Sequence, residues 1–479
     1  MMNKYLYGAS VQGIQEFIFK TNKLQEIVGA SEIIKNITEE FKTKYENKAK
    51  ILLCAAGNIK AIFDDKEILE DLVLNFSKMI QQKAYGITIS QAVVKIKDNY
   101  TQEDIDELER RLKIQRNKPT IALDSSISIM KPNPTTSRPS IKKDVDMATF
   151  QKLEAYKNIE NKANTDLHKL SNQKNKIAVI HIDGNGLGQI VPKLGEKLSS
   201  FSIALNNATQ KAFDIAKQNK KVREIILGGD DVTVICDAND ALSFTNEFLE
   251  NFENQTSNIK ELDGIKDKLT ACAGIAYCNE KYPFHYAVNL AEILCGIAKN
   301  KSDRKYSCLM FHNIQSSNIQ SWNKIVKDEL TILSPINHII EDDKEIKYKT
   351  IRCDFGAYYL NKQNEPLISG LLNSINAYRC DGSPSSRLRN WLSELHKSDT
   401  NASNILNRIN QITKDSGKWK CEIMDKNLEN LYSGLSNDNL IVQKDKEKDC
   451  NGIEKELLKT PIYDILQILS TTTSYQGDK

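Results

Sequence analysis

The chain predicts an α+β fold: two tandem ferredoxin-like units of order βααββαβ, followed by a mainly helical C-terminal region. Three observations carry this. Short strand-like apolar runs alternate with helical-period stripes over residues 4–96, the same order returns over residues 176–312, and beyond 313 the apolar positions fall at helical spacing. Identity between the two repeats is slight, so the shared order is what reads as an internal duplication. The 479 residues divide into 1–96, an insertion of helix and loop at 97–175, 176–312, and 313–479.

In the first unit, KYLYGASV is a strand and QGIQEFIF a short helix. EIVGASEIIKNITEEF then places Ile27, Ile33, Ile34, Ile37 and Phe41 on one helical face. The runs Ile51 to Ala55 and Ile59 to Phe63 meet through Ala56-Gly57-Asn58 as a hairpin; a helix from Lys66 to Gln82 and the strand ITISQAVVKI complete the unit. The insertion opens with the charged helix EDIDELERRLK, passes through a Pro-, Ser- and Thr-rich loop, and ends in a helix over FQKLEAYKNIENKANTDLHKL.

In the second unit, KIAVIHID is a strand, GNGLGQIV turns into a helix, and FSIALNNATQKAFDIAKQ is a helix with Ile203, Ala204, Ala208, Ala212 and Ala216 along one face. VREIIL and VTVIC form a hairpin through Gly228-Gly229-Asp230-Asp231. ALSFTNEFLENF, LTACAGIAY, HYAVNLAEILCGIAK and KYSCLMF follow as helix, strand, helix and strand, and helices are expected on one face of each sheet. In the last region NWLSELHK, ASNILNRINQI and PIYDILQILS are helical, while DKEKDCNGIEKE and TTTSYQGDK read as solvated loop and terminus.

Composition excludes several classes. Hydrophobic residues at 40% and charged residues at 27% suit folded domains rather than a disordered chain. The net charge of +3 gives no global field for nucleic acid; the stretches RRLKIQRNK and SRPSIKK are the local basic patches that RNA phosphates would meet, with a solvated face as the plainer account. Ten cysteines with no C-x-x-C and six dispersed histidines give neither a zinc ribbon nor a disulfide framework. No apolar run reaches the length of a membrane helix, so a cytoplasmic protein with no membrane partner is expected.

The carboxylates carry the functional signal. Asp183 ends an apolar strand, Asp230 and Asp231 stand on a hairpin tip, and all three meet if the two strands are neighbours. Nucleotidyl transfer uses two hard cations about 4 Å apart held by such carboxylates, one activating the attacking hydroxyl and one supporting the leaving pyrophosphate. Gly228 and Gly229 lack the Cβ atoms that would keep a nucleotide away, and Gly184, Asn185 and Gly186 offer backbone N–H groups at a helix start for phosphate oxygens. A lone G-D-D is ordinary turn chemistry; the combination with a strand-end acid in this element order points to a metal–nucleotide site. Lys299, with Lys301 and Arg304 behind it, is a candidate triphosphate contact or a solvated helix-end charge. His181 falls on the face of Asp183 and reads as a hydrogen-bonded core or rim residue; Cys272, Cys278 and Cys295 read as core.

The hairpin LGGDDV, the strand HIDGNGLG and the pair AGIAY and YAVNLAEILCGIAK together resemble the palm domain of GGDEF diguanylate cyclases, class III nucleotidyl cyclases and the large polymerase–cyclase subunit of type III CRISPR effector complexes. GGDD favours the last, and VQGIQEFIFKTNKLQEIVGAS is similar to the opening of that subunit's first, inactive palm. The resemblance implies two palms facing each other, the second one joining ATP into cyclic oligoadenylate messengers. It implies Mg or Mn bound by Asp183, Asp230 and Asp231, with Ile182 added to the metal set, and Ser31 as a nucleotide contact in the first palm. Ala56-Gly57-Asn58 stands where hairpin acids would be, so the first palm is expected to shape the pocket or hold the acceptor nucleotide without catalysing.

Implied partners are nucleoside triphosphates with CRISPR effector subunits and guide or target RNA, or else a messenger-activated effector served by a standalone enzyme. No histidine is followed by aspartate, so a His-Asp nuclease is not expected, and the cysteine zinc site often found between the palms is missing. Two other readings stay open: a cyclic dinucleotide or mononucleotide cyclase, and a non-catalytic scaffold that binds nucleotide or RNA.

Overall fold

The computed structural model describes residues 4–55, 57–97, 100–118, 129–159, 167–316, 320–335, 348–380, 382–416, 421–448 and 454–473. The first unit runs β1 (Lys4–Gln12), α1 (Ile14–Phe19), α2 (Leu24–Tyr45), β2 (Lys50–Ala55), β3 (Asn58–Phe63), α3 (Lys66–Lys83), β4 (Thr88–Ile96) and α4 (Gln102–Arg116). After β5 (Ser140–Lys142), β6 (Val145–Asp146), α5 (Met147–Lys157) and α6 (Leu167–Leu170), the second unit repeats the plan. It comprises β7 (Lys176–Gly184), α7 (Leu187–Leu194), α8 (Leu198–Ala216), β8 (Val222–Gly228), β9 (Asp231–Asp237), α9 (Ala241–Thr256), β10 (Ala271–Asn279), α10 (Phe284–Lys301) and β11 (Cys308–Asn313).

The sheet orders show the duplication directly. The first sheet is β2-β3-β1-β4 and the second contains β8-β9-β7-β10, with β11 and then β14 (Tyr358–Tyr359) added beyond β10. The shared four-strand cores are antiparallel throughout. A near-continuous apolar strand such as KIAVIHID is buried on both faces, which demands cover on both. This corrects the expectation of helices on one face only. In the second sheet, Ala178, Ile180 and Ile182 join a core with α8 and α9, while Ile177 and Val179 of β7 and Ala276 of β10 join a core with α10. In the first, Leu6, Ala92 and Val94 pack under α4 through Leu108 and Leu112.

Three other expectations change. Ile203 is 59% exposed, and the buried stripe of α8 runs instead through Phe201, Leu205, Ala208, Ala212 and Ala216, because the spacing that includes Phe201 covers the core face and the one that includes Ile203 does not. The helix expected across residues 150–170 ends at Lys157; residues 160–166, like Ala56 of the first hairpin and the end of the tail at 474–479, lie outside the described residues. The Pro- and Ser-rich loop, of which residues 119–128 are also outside, closes on the buried Asp146 carboxylate, which accepts from Asn133 Nδ2 at 2.9 Å, Thr136 Oγ1 at 2.7 Å and the Thr149 backbone at 2.9 Å.

The C-terminal region holds α11 (Trp322–Asp328), α12 (Ile368–Arg379), α13 (Ser385–Leu395), α14 (Asp399–Ser416), α15 (Cys421–Leu431) and α16 (Ile462–Thr471). It also holds a sheet that the helical pattern hid, of order β12-β13-β16-β15, made by β12 (Thr331–Pro335), β13 (Tyr348–Arg352), β15 (Val442–Lys448) and β16 (Glu454–Lys459). The charged run expected as solvated loop thus supplies two antiparallel strands on either side of residues 449–453, which lie outside the described residues. Charge content concealed it, since ladder hydrogen bonds need no apolar side chain.

One buried acid ties α16 to this region. Asp464 Oδ2 accepts from the Phe355 backbone at 2.9 Å and from the Tyr358 hydroxyl at 2.6 Å. Burial first, and Asp354 second, push its carboxyl from 3.8 up to about 8. A raised acid means that the folded state keeps a proton the unfolded chain has released, so this stabilisation is complete below about pH 4 and is lost as pH rises through about 8. Asp464→Asn, which retains an oxygen acceptor for both donors, is expected to match the wild-type melting temperature at pH 4 and exceed it at pH 8.5; equal melting temperatures at both pH values would refute this.

Candidate active site

The site forms where β7 ends beside the β8–β9 hairpin. Asp183 and Asp231 are direct neighbours across the β7–β9 ladder, and Gly228 pairs with Asp231 across the hairpin. The strand alternation sends Asp183, Asp231, His181 and Thr233 to the face covered by α10. Gly184 allows the chain to turn here: a Cβ at this position would sit 2.7 Å from the Cβ of Asp230, whose backbone oxygen accepts from the Gly184 N–H at 3.2 Å. Gly229, at φ +64°, makes the turn itself, and a Cβ there would meet nothing within 4 Å, leaving the hairpin approachable. From α8, Thr209 Oγ1 donates to the Gly229 oxygen at 2.6 Å, and Asn206 Oδ1 accepts from the Gly229 N–H at 3.2 Å.

The three acids repel one another. Burial, then Asp183, raise Asp230 from 3.8 to about 7; burial, then Asp183, Asp230 and Glu292, raise Asp231 to about 7. The opposing charge is Lys299, whose Nζ lies 2.5 Å from Asp183 Oδ2 and donates to the Gly184 oxygen at 2.7 Å. α10 runs alongside β7 so that its last turn delivers this lysine to the acids. His181 is 8% exposed, with Nδ1 3.1 Å from Thr233 Oγ1 and 3.6 Å from Asp231 Oδ1. Burial pushes it down to about 4, so it is a neutral, hydrogen-bonded imidazole near pH 7 and forms no ion pair with Asp231.

Several candidates sit elsewhere than the sequence suggested. Asn185 is fully buried: its N–H donates to the Thr270 oxygen at 2.8 Å, and its amide nitrogen lies 3.0 Å from Thr270 Oγ1 and 3.3 Å from Cys272 Sγ. The amides of Gly184 and Asn185 are therefore committed within the protein, and only Gly186, which opens α7 at φ 80° with no side-chain cap, remains at the helix start as expected for a phosphate approach. The Ile182 side chain has 0% exposure and belongs to the core under α8, on the sheet face opposite Asp183, so it brings no side-chain ligand to the metal set. Ser31 Oγ donates to the Ile225 backbone oxygen of β8, an inter-unit bond in place of an open nucleotide contact. Cys272, Cys278 and Cys295 are buried as expected. Glu292 and Thr233 were missed; the alternation that puts Thr233 on the face of Asp231 was legible, whereas Glu292 comes from a distant helix.

The first unit repeats this geometry without the charge. Ser10 pairs with Asn58 across β1–β3 as Asp183 pairs with Asp231 across β7–β9, and Ser10 Oγ donates to Asn58 Oδ1 at 2.9 Å. Gly57, at φ +77°, stands where Asp230 does, and its oxygen accepts from the Val11 N–H at 2.9 Å. Gly13 opens α1 in the left-handed region as Gly186 opens α7. A neutral pair thus stands in place of the Asp183–Asp231 carboxylates, without the negative charge that favours a divalent cation.

Residues 176–308 match the family described as Cas10/Cmr2, second palm domain. Over those residues the chain carries a palm domain similar to that family's. Solved structures similar to it include the Csm1–Csm4 cassette in complex with AMPPNP (TM-score 0.47, 12% identity, covering 64% of this chain and 54% of that one). The same cassette in complex with cA4 gives a TM-score of 0.45 at 12% identity, with the same coverage. Csm1 in T. onnurineus gives 0.45 at 14% identity, covering 64% of this chain and 53% of that one. The chain spans about half the length of the solved chains that it matches. No curated protein matches it in sequence. Among the described residues, no helix is long and apolar enough to cross a membrane.

The donor set of this palm fits a hard cation. Its candidate donors are carboxylate oxygens, Asp231 Oδ1 is buried without a hydrogen-bond partner, and the Asp230 and Asp231 carboxylates are destabilised by burial first and by neighbouring charge second. Among the described residues, no three His, Cys, Asp or Glu side chains are already converged as a metal cluster. The positive charge against Asp183 is the Lys299 ammonium.

Proposed function

We propose that this Cas10-like protein is a nucleotidyltransferase that joins nucleoside triphosphates, ATP first among them, into a cyclic oligonucleotide with release of pyrophosphate. The observation that carries this is the meeting of Asp183, Asp230 and Asp231 at one sheet edge beside Lys299. The match of residues 176–308 to the second palm of Cas10/Cmr2 supports it.

Asp183, Asp230 and Asp231 would hold Mg²⁺ or Mn²⁺, which supplies charge stabilisation at the transferring phosphoryl group and lowers the pKa of the attacking hydroxyl. The protein's own residues set the stage for that chemistry. The open space over Gly229 admits a nucleotide to the hairpin, and the uncapped start of α7 and the Lys299 ammonium bring positive potential to where a triphosphate's charge would gather. His181, neutral and bonded to Thr233, packs beneath Asp231 and restrains the carboxylate it touches. Across the interface, the Ser10–Asn58 pair offers neutral hydrogen-bonding groups to a second nucleotide, which suits an acceptor. In-line attack of one ribose hydroxyl on a neighbouring α-phosphate, repeated until the ring closes, would give the product.

Partners of the Csm4 kind and a role in a type III CRISPR complex belong to this proposal, as does ring size. The test is incubation of the full chain with ATP and Mn²⁺, alone and with a mixed nucleotide pool, with products identified by mass spectrometry beside an Asp230→Ala, Asp231→Ala variant. A cyclic product absent from the variant is expected. Absence of product with nucleotide binding unchanged in the variant would replace the enzyme with a nucleotide-binding scaffold.

A further inference from the structure

β2 and β8 are the outer strands of their sheets, each the first half of the hairpin that faces the other unit. Both carry a bulge. Pairing of β8 with β9 slips between Glu224 and Ile226, and pairing of β2 with β3 slips between Ile51 and Leu53. Aligned on the pairs that end each ladder, Gly228 with Asp231 and Ala55 with Asn58, the skipped residues Ile225 and Leu52 fall at the same place. A bulge adds local twist and interrupts the ladder, so the carbonyls around it look for another donor.

In both units a serine of the opposite unit provides that donor. Ser31, on α2, donates to the Ile225 oxygen; Ser199, on α8, donates to the Ile51 oxygen at 3.2 Å. The helices follow the same exchange, α2 packing on β8 and α8 on β2. Ile225 itself is 1% exposed and lies in the core that holds Val28 and Ile34 of α2. The Gly228–Asp231 hairpin is therefore gripped from within its own palm by Asn206 and Thr209, and from the other palm by Ser31.

We infer that Ser31 is a positioning residue for the hairpin acids: through the Ile225 carbonyl, the first palm fixes the twist at the bulge and so the aim of Asp230 and Asp231. Ser199 returns the constraint to the first palm's hairpin at Ile51. The inference rests on the reading of Asp230 and Asp231 as catalytic carboxylates. A hairpin is a stiff ribbon, so a small change of twist at its base is magnified at its tip, where a misplacement of about 1 Å can cost on the order of 10²-fold in rate. Ser31 acts on no substrate atom in this arrangement, so its removal should lower turnover without altering which base is preferred.

The test uses the full chain and two readouts. In hydrogen exchange, Ser31→Ala should speed exchange of the amides in residues 222–236 while leaving residues 88–96 unchanged; unchanged exchange over 222–236 would overturn the inference whether or not the protein turns over nucleotide. In kinetics, Ser31→Ala should lower kcat by about tenfold or more with KM and base preference held, and Ser31→Thr, which keeps the hydroxyl, should restore it. A changed base preference or a rise in KM alone would overturn the inference in favour of direct nucleotide contact. Loss of all turnover in the wild type would instead sink the catalytic reading, leaving the exchange result to decide the contact.

Discussion

Asp231→Asn is expected to abolish transfer and, in EDTA at pH 8, to make the folded chain more stable. Asp231 lies in register with Asp183 and beside Asp230, and one ammonium, that of Lys299, pairs with Asp183. Burial and like charge raise its carboxyl from 3.8 to about 7, so the folded state takes up a proton that the unfolded chain has lost. The contribution is complete below about pH 4 and disappears as pH rises through about 7. Asparagine removes the charge and keeps the shape, so the variant should melt above the wild type at pH 8 and close to it at pH 4. Manganese should reverse the order at pH 8 by stabilising the wild type through mass action while leaving the variant nearly unmoved. Activity should fall by at least about 10²-fold, since outer partners of metal ligands alone are worth roughly 10 to 100-fold and this side chain would be a ligand. Thermal melts with and without Mn²⁺, beside product assays, measure all three; a variant less stable than wild type in EDTA at pH 8, or one that keeps its turnover, refutes the account. The site trades stability for charge that a bound cation would neutralise.

Gly274→Ala should be the most damaging small substitution in the second palm. Gly274 lies on β10 opposite His181, and α10 crosses it so closely that an added Cβ would sit 1.9 Å from the Ala291 oxygen and 2.5 Å from the Cys295 nitrogen. Both are backbone atoms in mid-helix and cannot swing away, so α10 must lift. The expected loss is about 3 kcal/mol, the upper end for overpacking in a well-packed core. Because α10 carries Lys299, lifting it also draws the ammonium away from Asp183 and the Gly184 oxygen, and activity should fall with stability. Gly296→Ala on the same helix is the control: nothing lies within 4 Å of its added Cβ, and helix propensity favours alanine by about 0.5–1 kcal/mol. Urea unfolding of both variants decides the matter, and equal effects would show that the contact at Gly274 yields more easily than its geometry implies.

Much of the site was legible because its signals are local. Asp183 at the end of an apolar strand and Gly229 in a tight turn each state their own backbone conformation, and their meeting needed only the assumption that β7 and β9 are neighbours. Ile203 shows where periodicity misleads: alanines at regular spacing tolerate two faces, and the choice was made by Phe201 and Leu205, which fill the core. The strands β15 and β16 were hidden because a charged sequence can form a ladder whenever a partner strand is present, and the partner is distant or separated by a loop.

The sequence by itself determined the order of elements within the two repeated units, the duplication and the placing of three acids against a neutral first hairpin, because helical period, strand alternation and turn residues are properties of neighbouring side chains. Tertiary structure alone decided that Lys299 reaches Asp183 rather than solvent, that Asn185 turns inward to Thr270 and Cys272, and that Ser31 bonds Ile225 across 194 residues of chain. Those are contacts between elements far apart in sequence, fixed by how α10 rests on Gly274 and how the two palms exchange α2 and α8, and no local pattern encodes which carbonyl a hydroxyl will find.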